Sequence, residues 1–115
     1  MDRADAARLL NVVEFPEGWE FIEVHRAGQL AGFIARKASE MHMWRRPEFK
    51  GRWITAKEIE RAGAPVIAKY GHICTVVPAA NGVGRAFVTR LGFHETHRDG
   101  GMIYYRTERL RHARF

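Results

Sequence analysis

Residues 47 to 55 read PEFKGRWIT, and they lie between an alternating stretch, EMHMWRR at 40 to 46, and an amphipathic stretch that opens with TAKE. A loop that holds a phosphate and then enters a helix needs small residues, because glycine adopts positive φ at little cost and lets backbone N–H groups approach the anion. Here the loop contains one glycine, Gly51, and two residues later it carries Trp53. The stretch therefore has the position of a phosphate-binding loop without its full composition.

The residues that follow the loop are typical of a helix. Thr55 and Glu58 fit a capping box, in which each side chain accepts a hydrogen bond from the other residue's backbone N–H. Pro65 lies inside the stretch and predicts a kink or an interruption, because proline lacks the N–H that an inner helical turn uses. Apolar residues recur behind the capping box at helical spacing, at Ile59, Ala62, Val66, Ile67 and Tyr70.

The residues that precede the loop are typical of strands. Residues 19 to 26 alternate apolar and polar side chains, and RAGQ then supplies a turn into a second strand at 30 to 38. A third strand at 40 to 46 ends at Pro47, which cannot donate a ladder hydrogen bond. Before these strands, ADAARLL at 4 to 10 predicts two helical turns.

The second half of the chain alternates strands with one more helix. Residues 72 to 78 are a short β-branched run, and residues 81 to 91 predict a helix that ends at Gly92. The expected apolar face of this helix is Val83, Ala86, Phe87 and Leu91. Two strands around Asp99-Gly100-Gly101 form a predicted hairpin. This order of elements predicts an α/β or α+β domain.

Length, charge and composition bound the function. The chain has 115 residues, which is one domain by size, and its net charge of +6 with a pI near 10.1 favours anionic partners. Basic residues concentrate at 45 to 52 and at 106 to 114, and the second group is expected to be a solvated tail. No nucleic-acid recognition motif accompanies them, which argues against nucleic-acid binding. No run approaches the ~20 apolar residues of a membrane span, and no signal segment is visible, so a soluble cytoplasmic protein is expected.

Cysteine and histidine give little sign of a metal or disulfide framework. Cys74 is the only cysteine, which excludes an internal disulfide and any cysteine-rich zinc site. The six histidines are scattered, and the closest pair, His94 and His97, is expected to point to opposite faces of a strand. No metal site is therefore expected.

Four segments in a fixed order resemble the GNAT superfamily of N-acetyltransferases, and together they cover roughly residues 20 to 107. RAGQLAGFI at 26 to 34 is similar to the turn and strand that carry the family's paired glycines before phenylalanine. PEFKGRWIT looks like the proline-led pyrophosphate loop. The strand ICTVVP leads to Asn81, and FVTRLGF at 87 to 93 is similar to the helix end with its Gly-Phe pair. Each segment is weak alone, but their joint order makes the fold assignment fairly specific.

The resemblance implies an acetyl-CoA site in a cleft where two parallel strands splay apart, here 40 to 46 and 72 to 77. Pantetheine would pair with the exposed strand edge near Asn81, and the pyrophosphate would bind N–H groups at the start of the following helix. The cofactor-binding residues implied in this way are Lys50, Gly51, Arg52, Trp53, Ile54, Thr55 and Asn81.

The loop departs from the family pattern at its small residues. Both small residues of the family loop are lost, because Trp53 replaces the first and Thr55 the second. The indole of Trp53 would occupy space that a diphosphate needs unless the loop turns it outward. The side chains of Lys50, Arg52, Arg45 and Arg46 can partly compensate with positive charge and donors. Asn81 is also a good helix cap, and this interpretation is favoured over a ligand contact. Trp44 and Trp53 are more typical of packing residues than of a base-stacking platform.

The catalytic residues are not identified by the resemblance. The position at which family members often carry an acidic tyrosine is Val88, which cannot give up a proton. Cys74, His72 or Tyr70 are candidate substitutes. Glu20, Glu23 and Glu40 lie near the first strands, and one of them is a candidate general base if it is not simply a solvated carboxylate.

The resemblance leaves two functions from different classes. One is acyl-CoA-dependent transfer of an acetyl group to a small amine or protein amine, with backbone N–H groups of strand 40 to 46 polarising the thioester. The other is a catalytically inactive structural or binding protein that assembles with other chains, because small GNAT-like proteins of bacteriophages also lack the tyrosine; such a protein would reside in a virion.

We expect a single GNAT-like domain with a mixed, mostly antiparallel sheet. Its parts are an N-terminal helical segment at 1–18, the GNAT-like domain at 19–107 and a basic tail at 108–115. The N-terminal segment is short compared with the acceptor-binding wall of family members, so an acceptor pocket that is incomplete or completed by another subunit is expected.

Overall fold

The computed structural model describes residues 1–10, 16–49, 51 and 53–111, and within them the chain forms three helices and six strands. The elements follow the predicted order, and most bounds agree to within one or two residues. The helices are α1 (Arg3–Leu10), α2 (Ala56–Tyr70) and α3 (Gly82–Arg90). The strands are β1 (Glu20–Arg26), β2 (Gln29–Lys37), β3 (Glu40–Arg45), β4 (Ile73–Pro78), β5 (His94–Asp99) and β6 (Met102–Thr107).

The six strands form one sheet in the order β1-β2-β3-β4-β6-β5. Every neighbouring pair is antiparallel except β3 and β4, which are parallel and are joined by the crossover through α2. The predicted mixed, mostly antiparallel sheet is confirmed. The single parallel pair places the carboxyl ends of β3 and β4, and the helices that follow them, at one edge of the sheet.

Two clusters of buried side chains lie on opposite faces of the sheet. On the inner face, α2 and α3 bury Ile59, Val66, Val88 and Leu91 against strand residues such as Ile34, Met41, Ile73, Val77 and Ile103. On the outer face, α1 packs Ala6 against Phe33 and Ala35. The helices therefore cover the inner face along the cleft-forming strands, whereas α1 covers the outer face over β1 to β3.

The predicted interruption of α2 at Pro65 is wrong. The helix runs from Ala56 to Tyr70 without a break, with Pro65 on its exposed side. An outward-facing proline leaves the carbonyl four residues earlier to water, and Ala62 and Val66 on the other side are buried in the core. Packing of the apolar side therefore outweighs the missing hydrogen bond.

The apolar face of α3 is rotated from the predicted one. Val83 is 76% exposed and Ala86 is also exposed, whereas Val88 is buried beside Leu91. The helix instead turns Gly84 toward β4, where an added Cβ would lie 3.2 Å from Val77 Cγ1. A glycine allows this close approach, and the burial of Val88 and Leu91 accompanies it.

The helix α3 ends in a Schellman turn, and the prediction that Gly92 terminates it is confirmed. Gly92 has a φ of +100°, its N–H donates to the Thr89 carbonyl at 3.1 Å, and the Phe93 N–H donates to the Val88 carbonyl at 3.1 Å. The turn returns the chain sharply toward the sheet, where Phe93 joins the core.

The final hairpin is confirmed, but one expectation about its histidines is wrong. Gly100 and Gly101 both have positive φ, as a two-residue hairpin turn of type I′ needs. A bulge between Glu95 and His97 shifts the register, so that His94 pairs with Arg106 and His97 with Tyr104. Because the partners are two residues apart on β6, both histidines point to the same face of the sheet.

The segment after β6 begins as part of the core and not as a solvated tail. Leu110 is half-buried against the main cluster, and the Arg111 N–H donates to the Leu91 carbonyl at 2.8 Å. The rest of the predicted tail, 112–115, lies outside the described residues.

Candidate functional site

The parallel strands β3 and β4 separate along their length. Their register contains one pair among the described residues, Glu40 with Cys74, where the Cys74 N–H donates to the Ser39 carbonyl at 2.8 Å. Beyond this pair the strands open into a cleft of about 210 Å³. Its lining comes from both strands, α3 and the turn after it: Met41, His42, Met43, Thr75, Val76, Val77, Pro78, Asn81, Gly84, Phe87, Val88 and Phe93.

The opening leaves backbone groups of β3 facing the cleft. Peptide groups alternate in direction along a strand, and the Ser39 carbonyl faces β4, so the peptide groups of Met41 and Met43 face β4 as well. Pairing ends at Glu40 and Cys74, so the N–H and carbonyl of Met43 point into the open part of the cleft. An extended ligand can pair with these groups as an additional strand would.

The start of α3 forms one wall of this cleft. Asn81 is the N-cap residue, and its Oδ1 accepts a hydrogen bond from the Gly84 N–H at 3.0 Å. The side chain caps the helix and also lines the cleft. The first turn of α3 contains no acidic residue, so the positive end of its dipole faces the cleft without a neutralising carboxylate.

The start of α2 is closed by the predicted capping box. The Glu58 N–H donates to Thr55 Oγ1 at 3.2 Å, and the Thr55 N–H donates to Glu58 Oε1 at 3.0 Å. Burial alone would raise the pKa of Glu58, but hydrogen bonds from Arg26 and Thr55 outweigh it and lower that pKa below its usual value. An ionised carboxylate paired with Arg26 therefore already lies at this helix start.

The loop before α2 turns the Trp53 side chain into the core, which confirms the interpretation of Trp53 as a packing residue. The indole is 7% exposed and lies over Gly32, where an added Cβ would be 2.6 Å from Trp53 Cζ3. It neither projects outward nor fills the space above the helix start. The loop is therefore held in place by core packing.

The cofactor-binding residues that the resemblance implies lie in different environments. Gly51 is exposed with a φ of +71°, and its carbonyl accepts the Trp53 N–H at 2.9 Å. Ile54 is buried, so only its backbone is available to a ligand. Lys50 and Arg52 lie outside the described residues. Among the described members of the implied set, Asn81 is the one that lines the cleft.

The two arginines expected to assist the loop already have partners. Arg45 Nη1 donates to the Phe49 carbonyl, and Arg46 Nε lies 3.0 Å from Glu48 Oε2. Arg45 thus holds the loop closed after β3. Both cations still add positive charge beside the helix start, although part of it is neutralised at Glu48.

Proton donors for a leaving group are scarce in the cleft. Val88, at the position that the resemblance gives to a tyrosine, is 6% exposed and apolar. Tyr70 is the last residue of α2 and is 41% exposed, outside the cleft lining. His72 and Cys74 line a separate groove on the outer face. Among the described residues that line the cleft, His42 has the only titratable side chain.

Sequence reasoning missed His42, which forms a pair with Glu40. His42 Nε2 contacts Glu40 Oε2 at 2.5 Å, and the imidazole also lies beside Trp19 with ring centroids 5.5 Å apart. The two residues are separated by one position on β3, and strand alternation in EMHMW could have placed them on one face. Among the three candidate bases, Glu40 is thus the one that contacts a residue of the cleft, although it lines the neighbouring groove itself.

The other two candidate carboxylates have structural partners elsewhere. Glu20 Oε2 lies 3.2 Å from Arg36 Nη2, at the edge strand β1. Glu23 Oε2 accepts a hydrogen bond from the N-terminal amino group at 3.1 Å, and this bond lowers the pKa of Glu23. Neither residue lines the cleft between β3 and β4.

The described residues contain neither a metal-binding cluster nor a helix that could span a membrane. Within residues 1–10, 16–49, 51 and 53–111, no group of three or more histidine, cysteine, aspartate or glutamate side chains is arranged to hold a metal ion. No helix in the same ranges is long and apolar enough to cross a membrane.

Comparison with known proteins identifies the architecture. No model of a known protein family matches the sequence, and no curated protein sequence matches it. Among solved structures, the chain is similar to the PaiA N-acetyltransferase from Thermoplasma acidophilum in complex with coenzyme A, with a TM-score of 0.64 and 21% sequence identity. The match covers 89% of this chain and 65% of that protein, so the chain spans less than two thirds of its length. The chain therefore has a GNAT-like fold, as the resemblance in its sequence implied.

Proposed function

We propose that the protein transfers an acyl group from acyl-CoA, with acetyl-CoA as the expected co-substrate, to the nitrogen of an amine. The observation that carries this proposal is the cleft between β3 and β4, which opens immediately after their one pair and exposes the Met43 peptide groups. A structural neighbour with this fold is an N-acetyltransferase in complex with coenzyme A. An extended pantetheine arm is the part of acyl-CoA that suits an unpaired strand edge.

The cofactor would lie across the mouth of the cleft. Pantetheine would run along Met43 with Asn81 beside it, and the pyrophosphate would bind the loop from Lys50 to Thr55. The Thr55 and Glu58 N–H groups are taken by the capping box, so the donors left in the first turn are those of Ala56 and Lys57. The side chains of Lys50 and Arg52 would supply positive charge and donors, which compensate for the backbone approach that the missing small residues would allow.

The pair of Glu40 and His42 would act as the general base. The amine nitrogen attacks the thioester carbonyl, an N–C bond forms, and the C–S bond breaks to release the CoA thiolate. The pair accepts the proton that the amine loses, and it can return that proton to the thiolate sulfur. One proton thus moves from nitrogen to sulfur, without the tyrosine that Val88 replaces.

The test is a titration with acetyl-CoA, followed by calorimetry and by tryptophan fluorescence. Acetyl-CoA should bind one to one, whereas 3′-phosphoadenosine diphosphate, which lacks pantetheine, should bind at least about tenfold more weakly if the cleft contributes. Release of free thiol in the presence of an amine then measures transfer. Glu40→Gln and His42→Gln should lower the rate of transfer more than the affinity for acetyl-CoA. Equal affinity for the two nucleotides would contradict the placement in the cleft.

A second candidate function is an inactive protein that binds or assembles with other chains. The observation that favours it is Val88, because an apolar buried side chain at that position supplies no proton. In that case millimolar acetyl-CoA would give neither heat nor a fluorescence change, and sedimentation would show assemblies of the protein. The virion location considered with this function has no support in the fold or in the structural comparison.

A further inference from the structure

A second depression lies beside the cleft on the outer face of the sheet. It is a groove of about 450 Å³ over β4, β6 and β5. Thr75 and Val76 line both the cleft and the groove, so the two spaces meet at β4. A molecule in the groove would therefore lie next to an acyl-CoA bound in the cleft.

Three residues on adjacent strands form a row across this groove, and the residues at its two ends carry opposite charges. The register pairs Glu40 with Cys74 and Cys74 with Arg106, so the three residues lie side by side on adjacent strands and point to one face. Strands are spaced about 4.8 Å apart, which puts the backbones of Glu40 and Arg106 about 10 Å apart. All three residues line the groove.

The charged groups at both ends are accessible to a ligand. Arg106 Nε donates to Glu108 Oε1 at 2.8 Å, but a guanidinium has further N–H donors, and this ion pair is exposed at both partners. Glu40 uses Oε2 for His42, and its second oxygen can accept from an ammonium group. An exposed pair of this kind contributes little stability, so a ligand carboxylate can replace Glu108 at small cost.

The next row of the groove is apolar and aromatic. Val76 pairs with Tyr104, and Tyr104 pairs with His97. The rings of His97 and Tyr104 are stacked with centroids 4.3 Å apart and planes 8° apart. This row gives a flat surface for the body of a small molecule whose charged ends contact the row of Glu40 and Arg106.

We infer that the groove binds an amine that also carries a carboxylate, with an α-amino acid as the simplest case. Its amino group would lie at Glu40, and its carboxylate would form a bidentate pair with Arg106. Two charge-assisted contacts of about 2.8 Å and one amino acid backbone together span about 9 Å, a length that the side chains of Glu40 and Arg106 can bracket from backbones about 10 Å apart. The inference rests on the proposed function for the fate of the amine, which would be the acyl acceptor.

Charge argues against the other amine classes. A polyamine would bring a second ammonium group to Arg106, on a protein whose net charge is already +6. A lysine side chain of a protein would leave Arg106 without a carboxylate partner from the same residue. Only an amine with its own carboxylate satisfies both ends of the row.

The experiment measures binding without any transfer. Saturation-transfer NMR with a mixture of the standard amino acids identifies those that bind, and each is then titrated beside its α-amide, which lacks the carboxylate, and its des-amino acid. We expect at least about a tenfold loss of affinity for the amide and for the des-amino acid. Spermidine is titrated in parallel and should bind more weakly than the amino acid.

Variants assign the binding to this row. Arg106→Gln should lower the affinity for the amino acid about tenfold and leave the affinity for its amide unchanged, and Arg106→Lys should restore part of the loss. Arg90→Gln removes an exposed cation from α3 and is the matched control, with no expected change. Amides that bind as well as acids, preferential binding of spermidine, or no binding of any amino acid would overturn the inference.

The outcome can be separated from that of the proposed function. Acetyl-CoA binding is measured in the cleft by calorimetry, and amino acid binding is measured in the groove by NMR without acetyl-CoA. Amino acid binding with no acetyl-CoA binding would keep the groove assignment and reject the transferase. Acetyl-CoA binding without amino acid binding would reject the groove assignment and keep the transferase.

Discussion

The two helices that follow the parallel strands β3 and β4 begin in different ways. At the start of α2, Thr55 and Glu58 satisfy each other's backbone, and Arg26 neutralises the carboxylate. At the start of α3, Asn81 caps the helix alone, and the first turn has no acidic residue. Each start comes after the carboxyl end of one strand of the parallel pair, and the start of α3 lines the cleft.

The difference shows that the position of a helix start does not by itself decide what it can bind. A capping box uses two of the first N–H groups and adds a negative charge, which stabilises the helix and competes with an anionic ligand. A single asparagine cap beside glycines leaves room for a ligand. The α2 start is thus built first for stability, and the α3 start for close approach.

The largest expected effect concerns the loop before α2. Trp53→Ala should lower the free energy of unfolding by about 3–5 kcal/mol, because the indole is buried over Gly32. It should not tighten acetyl-CoA binding. Chemical denaturation and calorimetry measure the two quantities. Trp44→Ala is the control, since Trp44 is only half-buried and should cost less. A stable variant with tighter binding would show that the indole obstructs a phosphate site.

The next effect locates the pyrophosphate at one helix start. Thr55→Asp and Asn81→Asp each keep a good capping residue and add one negative charge. If the pyrophosphate lies at α2 and pantetheine at α3, Thr55→Asp should weaken acetyl-CoA binding about tenfold and Asn81→Asp about threefold. Calorimetric titration of both variants gives the order. The opposite order would move the pyrophosphate to α3.

A smaller effect tests the close approach at α3 with two matched glycines. An added Cβ at Gly84 would lie 2.7 Å from Asn81 Nδ2, whereas one at Gly82 would meet nothing within 4 Å. Gly84→Ala should therefore weaken acetyl-CoA binding about fivefold and lower stability by about 1 kcal/mol, because it displaces the cap. Gly82→Ala should leave binding unchanged. Equal behaviour of the two variants would show that the α3 start is not part of the site.

The smallest effect is a pH dependence at α2. The folded-state pKa of Glu58 is lowered, so its contribution to stability is complete above the ordinary glutamate value of 4.5 and is lost as the pH falls through the folded value. We expect the wild-type protein to lose up to about 1 kcal/mol more than Glu58→Gln on acidification through this range. Urea denaturation at a series of pH values measures this difference, and parallel curves for the two proteins would contradict it.

Local patterns predicted most elements but not the orientation of α3. The alternation of EMHMW, the capping box and the glycine hairpin each depend on neighbours in sequence, and each was confirmed. The predicted apolar face of α3 and the observed one both contain Phe87 and Leu91. Helical spacing alone therefore did not distinguish them, and Val83 and Ala86 were assigned to the core. The packing of Val88 and Leu91 in the core and the close approach of Gly84 to Val77 accompany the face that the structure shows.

The candidate site was predicted in outline and not in its chemistry. The resemblance placed the cleft between two strands and Asn81 beside it, and the structure brings those elements together. His42 was missed as a partner of Glu40, and Arg106 was taken as part of a basic segment. Their roles depend on which strands are neighbours, because a pair such as Cys74 and Arg106 is far apart in sequence.

The sequence by itself determined the order of the elements, the ends of α2 and α3 and the final turn, since these depend on hydrogen bonds within a few residues. The tertiary structure alone decided that Trp53 packs inward, that Pro65 is tolerated, that a bulge puts His94 and His97 on one face, and that Glu40, Cys74 and Arg106 form one row. These features follow from long-range packing and strand register, where the burial of apolar surface outweighs local preference.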